Sequence, residues 1–351
     1  MTVHYTDAIN FAHTFSKPCV IGGVHISTCP QSFDDCFIDS MIGGLPVDDL
    51  DDLPRPDWSL VDDRYFDYTA LTTWGEFGRQ GVMITSRGCP YHCRFCSTTK
   101  MWNKLRFHSP EYVVKLVQDL VERGVTHIQV WDDLFTINRD RLWRILGLLE
   151  RENLLNKVKF AVQPRANLMD DELCELLMAM NCDLVIFGFE SGNDRVLRYL
   201  KGDNSSVEQN KKAVKLCNKH GIRVQGSLVL GSPTETEEEM EDTLRFIDWA
   251  KDKVQRLWTF GLTPFPATEM WEEASKRGIV SDDMCWSQLA HQNNKPLLLD
   301  IPMDVYRSIQ SRVDRKLERF KWSKFFSLLR SNPIGTARFI IKNQYILRAG
   351  V

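Results

Sequence analysis

The sequence predicts an α/β fold, a partial (βα)6 parallel barrel, on two observations. Between Gly81 and Gly278 six β-rich runs occur, "VMITS", "VTHIQVW", "VKFAVQ", "DLVIFGF", "IRVQGSLVLG" and "VQRLWTFGL", and each is followed by a helix-periodic stretch. Strands joined through helices require a parallel sheet with right-handed crossovers. Six units fall short of the eight that close a full barrel, so the sheet is expected to stay open, with its chemistry at the carboxyl ends of the strands.

The helix after the first strand shows the pattern best: "PEYVVKLVQDLVERG" puts Val113, Val114, Val117, Leu120 and Val121 on one side. In the fifth unit, "QGSLVLGSPTETEEEM", Thr234 and Glu237 fit a capping box for the following helix. Ahead of the barrel, residues 1–44 include "CVIGGVHIST", one strand and a tight βα turn. Residues 45–80 hold "LPVDDLDDLPRPDWSLVDD", an acidic, proline-bearing linker whose carboxylates read as a solvated connector rather than an acid/base pair. Residues 279–351 form a helical extension rich in Arg and Lys. That basic extension suits the wet side of helices packed on the barrel. The less favoured reading is contact with a membrane surface, a lipid or an anionic substrate.

The 351 residues are 43% hydrophobic and 26% charged with a net charge of −3, an ordinary soluble composition that gives no reason to expect a nucleic-acid partner. No run of about 18 apolar residues suggests a membrane span. The start, "MTVHYTDAINFAHTFSK", lacks the apolar core of a signal peptide, so a cytoplasmic, reducing location is expected. There, the ten cysteines imply metal or redox chemistry rather than disulfides. Cys19, Cys29 and Cys36 are too widely spaced for a metal knuckle, and Cys174, Cys182, Cys217 and Cys285 read as small buried apolar residues.

The remaining three, Cys89, Cys93 and Cys96, crowd into "SRGCPYHCRFC" directly after the first barrel strand. Thiolates at this spacing can converge on one iron–sulfur cluster, and Gly88 and Pro90 would help the loop bend around it. The competing reading is a zinc site completed by His92 or His108, although structural zinc sites generally pair two knuckles and no second pair occurs here.

This CxxxCxxC after a first strand, with Phe95 just before the third cysteine, resembles the signature of the radical S-adenosylmethionine superfamily. The resemblance implies that the three cysteines hold a [4Fe–4S] cluster whose fourth iron is open to the amino and carboxylate groups of S-adenosylmethionine. It also implies reductive cleavage to a 5′-deoxyadenosyl radical, the hard chemistry being the cofactor's. An electron donor such as flavodoxin or ferredoxin is implied as a partner. Later strand ends agree. "WDDLFTIN" resembles the DDxF segment of the subgroup that often carries a cobalamin-binding domain; Asp132 or Asp133 would accept from the methionyl amine, or cap the next helix. Arg165 in "VQPRAN" would pair with the methionyl carboxylate, the alternative being a surface ion pair. "VIFGFESGNDRVL" resembles the GxES segment, with Glu190 placed for ribose hydroxyls or the sulfonium end of the nucleoside. Backbone from Val229 through Gly231 to Ser232 would run along the adenine. Relatives usually read GxPGE here and TPxPGT in the sixth unit; this chain has Thr234 and Ala267 where each has a glycine.

"KPCVIGGVHISTCP" resembles the last strand and turn of the Rossmann-like cobalamin-binding domain of full-length relatives, Gly22 and Gly23 letting the backbone approach the corrin's nucleotide tail. The DxHxxG motif with its cobalt-ligating histidine has no counterpart, and His25 reads as a turn residue. This chain alone is therefore not expected to hold cobalamin securely: it is an enzyme that has dropped cobalamin, a truncated frame, or one whose partner supplies the missing strands. The leading functional expectation is hydrogen abstraction from a small-molecule or lipid substrate. The alternatives are a partner-dependent subunit of a cobalamin-dependent methyltransferase, served by a separate cobalamin-binding protein, and a non-catalytic cluster-binding subunit.

Overall fold

The computed structural model describes residues 20–22, 40–42, 47–67, 78–102, 104–289 and 295–331. Near the start, β1 (Val20–Gly22) and β2 (Ser40–Ile42) pair in parallel. His25, Gly23, Cys19, Cys29, Cys36 and the final stretch from 332 lie outside the described residues. The acidic linker folds into three short 3-10 turns, at Leu50–Asp52, Trp58–Leu60 and Asp63–Tyr65. Asp49, Asp57 and Asp62 cap them, each carboxylate accepting from a backbone N–H two residues on.

The barrel strands are β3 (Gln80–Met83), β6 (His127–Val130), β7 (Lys159–Val162), β8 (Cys182–Glu190), β9 (Arg223–Leu230) and β10 (Arg256–Gly261). They form one all-parallel sheet in the order β10-β9-β8-β7-β6-β3, so each strand lies beside its sequence neighbour and the sheet stays open. The first strand ends earlier than its apolar run: Ser86 belongs to β4 (Ser86–Arg87), antiparallel to β5 (Arg106–Phe107), and this small ladder brackets the cysteine loop. Within the loop lies α1 (Thr98–Met101).

The crossovers are α2 (Pro110–Glu122), α3 (Arg139–Arg151), α4 (Asp171–Ala179), α5 (Asp194–Lys201) with α6 (Val207–Lys219), and α7 (Glu237–Ala250), followed past β10 by α8 (Glu269–Lys276). In α2, Ser109 caps the Tyr112 N–H and Pro110 occupies the first turn, where its missing N–H costs nothing. Val113, Val114, Val117 and Leu120 are buried as expected, together with Leu116. The capping box of α7 is Thr236 with Glu239, two residues beyond the expected Thr234 and Glu237, because the turn after β9 runs on through Thr234 at φ +62° before the helix begins. Cys174, Cys182 and Cys217 are buried, whereas Cys285 is exposed. The basic extension contributes one long helix, α9 (Met303–Ser331), whose Tyr306, Ile309, Val313 and Leu317 join the main core on a single face. Among the described residues no helix is long and apolar enough to cross a membrane.

Candidate functional site

Each barrel strand, or the segment directly after it, lines one cavity of about 420 Å³ at the carboxyl ends of the sheet. The cysteine loop supplies Cys89, Cys93, Phe95 and Cys96, and Asp133 enters from beyond β6. Arg165 enters after β7, Gly188 and Glu190 from β8, Ser227 and Val229 from β9, and an apolar wall of Phe260, Leu262 and Phe265 closes the β10 side. Lys201, from the end of α5, completes the lining.

The loop is held from beneath by the two aspartates of "WDDLF". Asp132 is buried and accepts from the Thr85 N–H at 2.5 Å, the Thr85 hydroxyl at 2.6 Å and the Ser86 hydroxyl at 2.6 Å. Burial pushes its carboxyl above the usual aspartate range, against the lowering pull of those donors. Asp133 accepts from the Gly88 N–H at 2.8 Å and the Thr98 hydroxyl at 3.0 Å, clasping the loop on both sides of the cysteines. Thr98 in turn accepts from the Cys96 thiol at 3.2 Å. The helix after this segment, α3, is capped by Asn138 and by neither aspartate. Gly88 stands at φ +95° with the Lys104 carbonyl 2.9 Å from where a Cβ would be, so no other residue fits that bend.

Arg165 is 7% exposed, far from a surface ion pair. Its guanidinium lies 3.9 Å from the Tyr91 ring centroid and donates to Asn167, to Cys93 Sγ at 3.3 Å, to the Lys201 carbonyl at 3.0 Å and to Ser205 at 2.8 Å. Glu190 ends β8 at φ +59°, where the pairing with β9 is irregular. Its carboxylate is buried and meets the Lys201 ammonium at 3.3 Å. Val229 lies on the cavity wall. Gly231 and Ser232 stand beyond it, their N–H groups donating to Glu235 at 2.8 and 3.0 Å.

The donor set fits a cluster better than a single ion. Among the described residues no three His, Cys, Asp or Glu side chains converge in single-ion geometry. The cavity lining includes the three loop cysteines and neither His92 nor His108. His108 is taken elsewhere, its Nδ1 3.0 Å from Asp51 Oδ1 and its ring stacked 4.1 Å from that of Tyr112. Burial pushes the Cys89 and Cys96 thiols up, favouring their protonated form. A four-iron cluster accepts three cysteines and leaves one position open.

Lys201, Thr98 and Asp133's clasp of the loop are what sequence reading missed or misplaced. Lys201 looks like an ordinary basic residue in a helix's last turn. A pointer was Gly202 directly after it, which stops the helix at the cavity's edge.

The family model described as the radical SAM superfamily matches residues 83–247, most of the barrel. An uncharacterized methyltransferase of Pyrococcus horikoshii is 31% identical over 241 residues, 67% of this chain and 49% of that protein. The bacteriochlorophyllide d C-8(2)-methyltransferase of Chlorobaculum tepidum is 25% identical over 315 residues, 80% of this chain and 68% of that enzyme. This chain thus spans about half the length of the first of these relatives. Two solved structures share the fold. OxsB, a cobalamin-dependent S-adenosylmethionine radical enzyme with aqua-cobalamin bound, aligns with a TM-score of 0.53 at 18% identity over 90% of this chain and 52% of that one. TsrM from Kitasatospora setae, a radical S-adenosylmethionine methyltransferase with cobalamin and a [4Fe–4S] cluster bound, aligns with a TM-score of 0.52 at 22% identity over 57% of this chain and 37% of that one.

Proposed function

This chain belongs to the radical SAM superfamily of enzymes, whose cofactors are a [4Fe–4S] cluster and S-adenosylmethionine, and we propose that it abstracts hydrogen from a small-molecule or lipid substrate. When bound, the cluster supplies one electron to the sulfonium and so releases the adenosyl radical that does the abstraction. Cys89, Cys93 and Cys96 hold the cluster. Phe95 would line the space beside it, Arg165 would pair with the methionyl carboxylate, and Glu190 and Val229 would meet the ribose and adenine. Asp132 and Asp133 keep the loop in place, and Asp133 is also within the cavity to meet the methionyl amine. The apolar wall of Phe260, Leu262 and Phe265 suits a substrate with a hydrocarbon body and excludes water from a reactive radical. Flavodoxin or ferredoxin is the electron donor.

One observation carries this reading: among the described residues three cysteines and no fourth line a cavity that is also lined by a buried carboxylate and two cations, Arg165 beside Cys93 and Lys201 beside Glu190. The test is anaerobic reconstitution with iron and sulfide, reduction, and chromatography for 5′-deoxyadenosine. Replacing any one of the three cysteines by alanine should abolish the product; cleavage that survives would contradict the assignment.

A second reading, methyl transfer served by a separate cobalamin protein, is favoured by the methyltransferase names of the relatives and by the parallel β1/β2 pair in the segment that resembles a corrinoid domain. Only those two strands of the segment are described, so no residue of this chain is assigned to the corrinoid. Methylation that appears only with an added corrinoid protein would select this reading; stoichiometric corrinoid on the reconstituted chain alone would overturn it.

A further inference from the structure

Lys201 belongs to no motif that the resemblance supplies, yet it stands where the parts of the cavity meet. It closes α5, and Gly202, at φ +81°, ends the helix immediately after it. A lysine at a helix end ordinarily extends its ammonium into water. Here the side chain is 10% exposed and lines the cavity, donating to the Gly188 carbonyl at 2.6 Å and to Glu190 Oε1 at 3.3 Å.

Glu190 needs such a partner. A glutamate at positive φ persists only where its surroundings impose it, and a buried carboxylate requires a counter-charge or donors. Its side chain also folds back over the strand: a Cβ on Gly188 would stand 2.2 Å from Glu190 Oε1. The ammonium bridges the Gly188 carbonyl and that oxygen, on the two sides of the irregular pairing. Leu200 and Lys201, the last two residues of α5, also grip the other half of the site. The Leu200 carbonyl accepts from the Arg94 N–H of the cysteine loop at 2.9 Å, and the Lys201 carbonyl accepts from Arg165 at 3.0 Å.

We propose that Lys201 is a positioning residue for S-adenosylmethionine: it fixes the Glu190 carboxylate relative to the cysteine loop, so both ends of that ligand are met together. The proposal rests on the functional reading above and concerns Glu190 as the group through which Lys201 acts.

The test uses the anaerobically reconstituted full chain and compares Lys201→Met, Lys201→Arg, Glu190→Gln and the Glu190→Gln/Lys201→Met pair, with Lys215→Met on an exposed face of α6 as control. The readouts are iron and sulfide content, S-adenosylmethionine affinity by equilibrium dialysis, and the KM and kcat of cleavage. Lys201→Met is expected to keep its cluster and to bind S-adenosylmethionine roughly 30-fold more weakly, as loss of one partner of a buried charge pair commonly does. Its kcat at saturation should fall much less, and Lys201→Arg should recover most of the affinity. The double variant should bind no more weakly than Glu190→Gln alone, since the lysine acts through that carboxylate. Unchanged affinity in Lys201→Met, or losses that multiply in the double variant, would overturn the proposal. If Lys201→Met does not load a cluster, Lys201→Gln, which keeps a donor for the Gly188 carbonyl without the charge, decides between the same two outcomes. A parent chain that binds S-adenosylmethionine but does not cleave it counts against the functional reading and leaves this comparison intact; one that does not bind it overturns both.

Discussion

Glu235 gives the sharpest test of how the turn after β9 is built. Its Oε2 accepts from the Gly231 and Ser232 N–H groups, whereas its Oε1 and the Ser232 hydroxyl are buried with no partner among the described residues. Burial pushes the carboxyl from its ordinary 4.5 up to about 7, outweighing the lowering effect of the two N–H donors. The folded chain therefore holds this proton to higher pH than the unfolded chain does. Between about 4.5 and about 7 the folded state binds more protons, so its stability falls as pH rises through that window and levels off above it. A gap of about 2.5 pH units corresponds to roughly 3 kcal/mol. Glu235→Gln keeps an acceptor for both N–H groups and removes the titration. Urea unfolding of the cluster-free parent and variant should show the difference between them moving by roughly 3 kcal/mol in the variant's favour from pH 4.5 to pH 8. Infrared spectroscopy should show a protonated carboxyl band at pH 6 that the variant lacks. A stability difference that stays constant across that range would refute the reasoning.

Asp132→Ala leaves the Thr85 N–H and two hydroxyls without their acceptor; it should cost about 2–4 kcal/mol in urea unfolding and lower the iron bound after reconstitution. Gly188→Ala places a methyl group against Glu190 and should weaken S-adenosylmethionine binding in equilibrium dialysis more than it changes the unfolding midpoint. Ala267 sits at φ +60°, so Ala267→Gly should raise stability by about 0.5–1 kcal/mol, and a loss in thermal unfolding would mean that its methyl group packs usefully.

The sheet was legible because its signal is local. Six β-rich runs separated by helical periods give strands within a few residues of where they fall, and sequence order becomes spatial order when every crossover has one hand. What failed was also local, at element ends. The run "VMITS" is continuous in hydropathy, yet its last residue pairs with Phe107 rather than with the sheet. The capping box moved two residues because Thr234 takes a left-handed conformation that a threonine does not advertise. The two positions where relatives carry glycine, Thr234 and Ala267, both stand at positive φ, so the resemblance located strained backbone that composition could not.

The site divides along the same line. Three cysteines within eight residues are read directly, since a cluster imposes spacing on a single loop. The groups that hold the loop are not read, because their partners are distant in sequence. From the order "WDDLFTIN" an acidic pair at a strand end suggests a ligand or a helix cap. In the fold neither caps the next helix: Asp132 meets Thr85, 47 residues earlier, and Asp133 meets Gly88, 45 residues earlier. Parallel pairing of β3 with β6 puts both segments at the same end of the sheet, which is the physical reason they meet. Lys201 is hidden in the same way: its role depends on α5 ending at the cavity and on a bend in β8, neither of which leaves a mark on the lysine itself. A loop that binds a reactive cofactor thus borrows its rigidity from the next strand's end and from a helix terminus. The cysteines identify the chemistry; on the proposed reading, Asp132, Asp133 and Lys201 keep the loop and the nucleoside-binding wall in register while it happens.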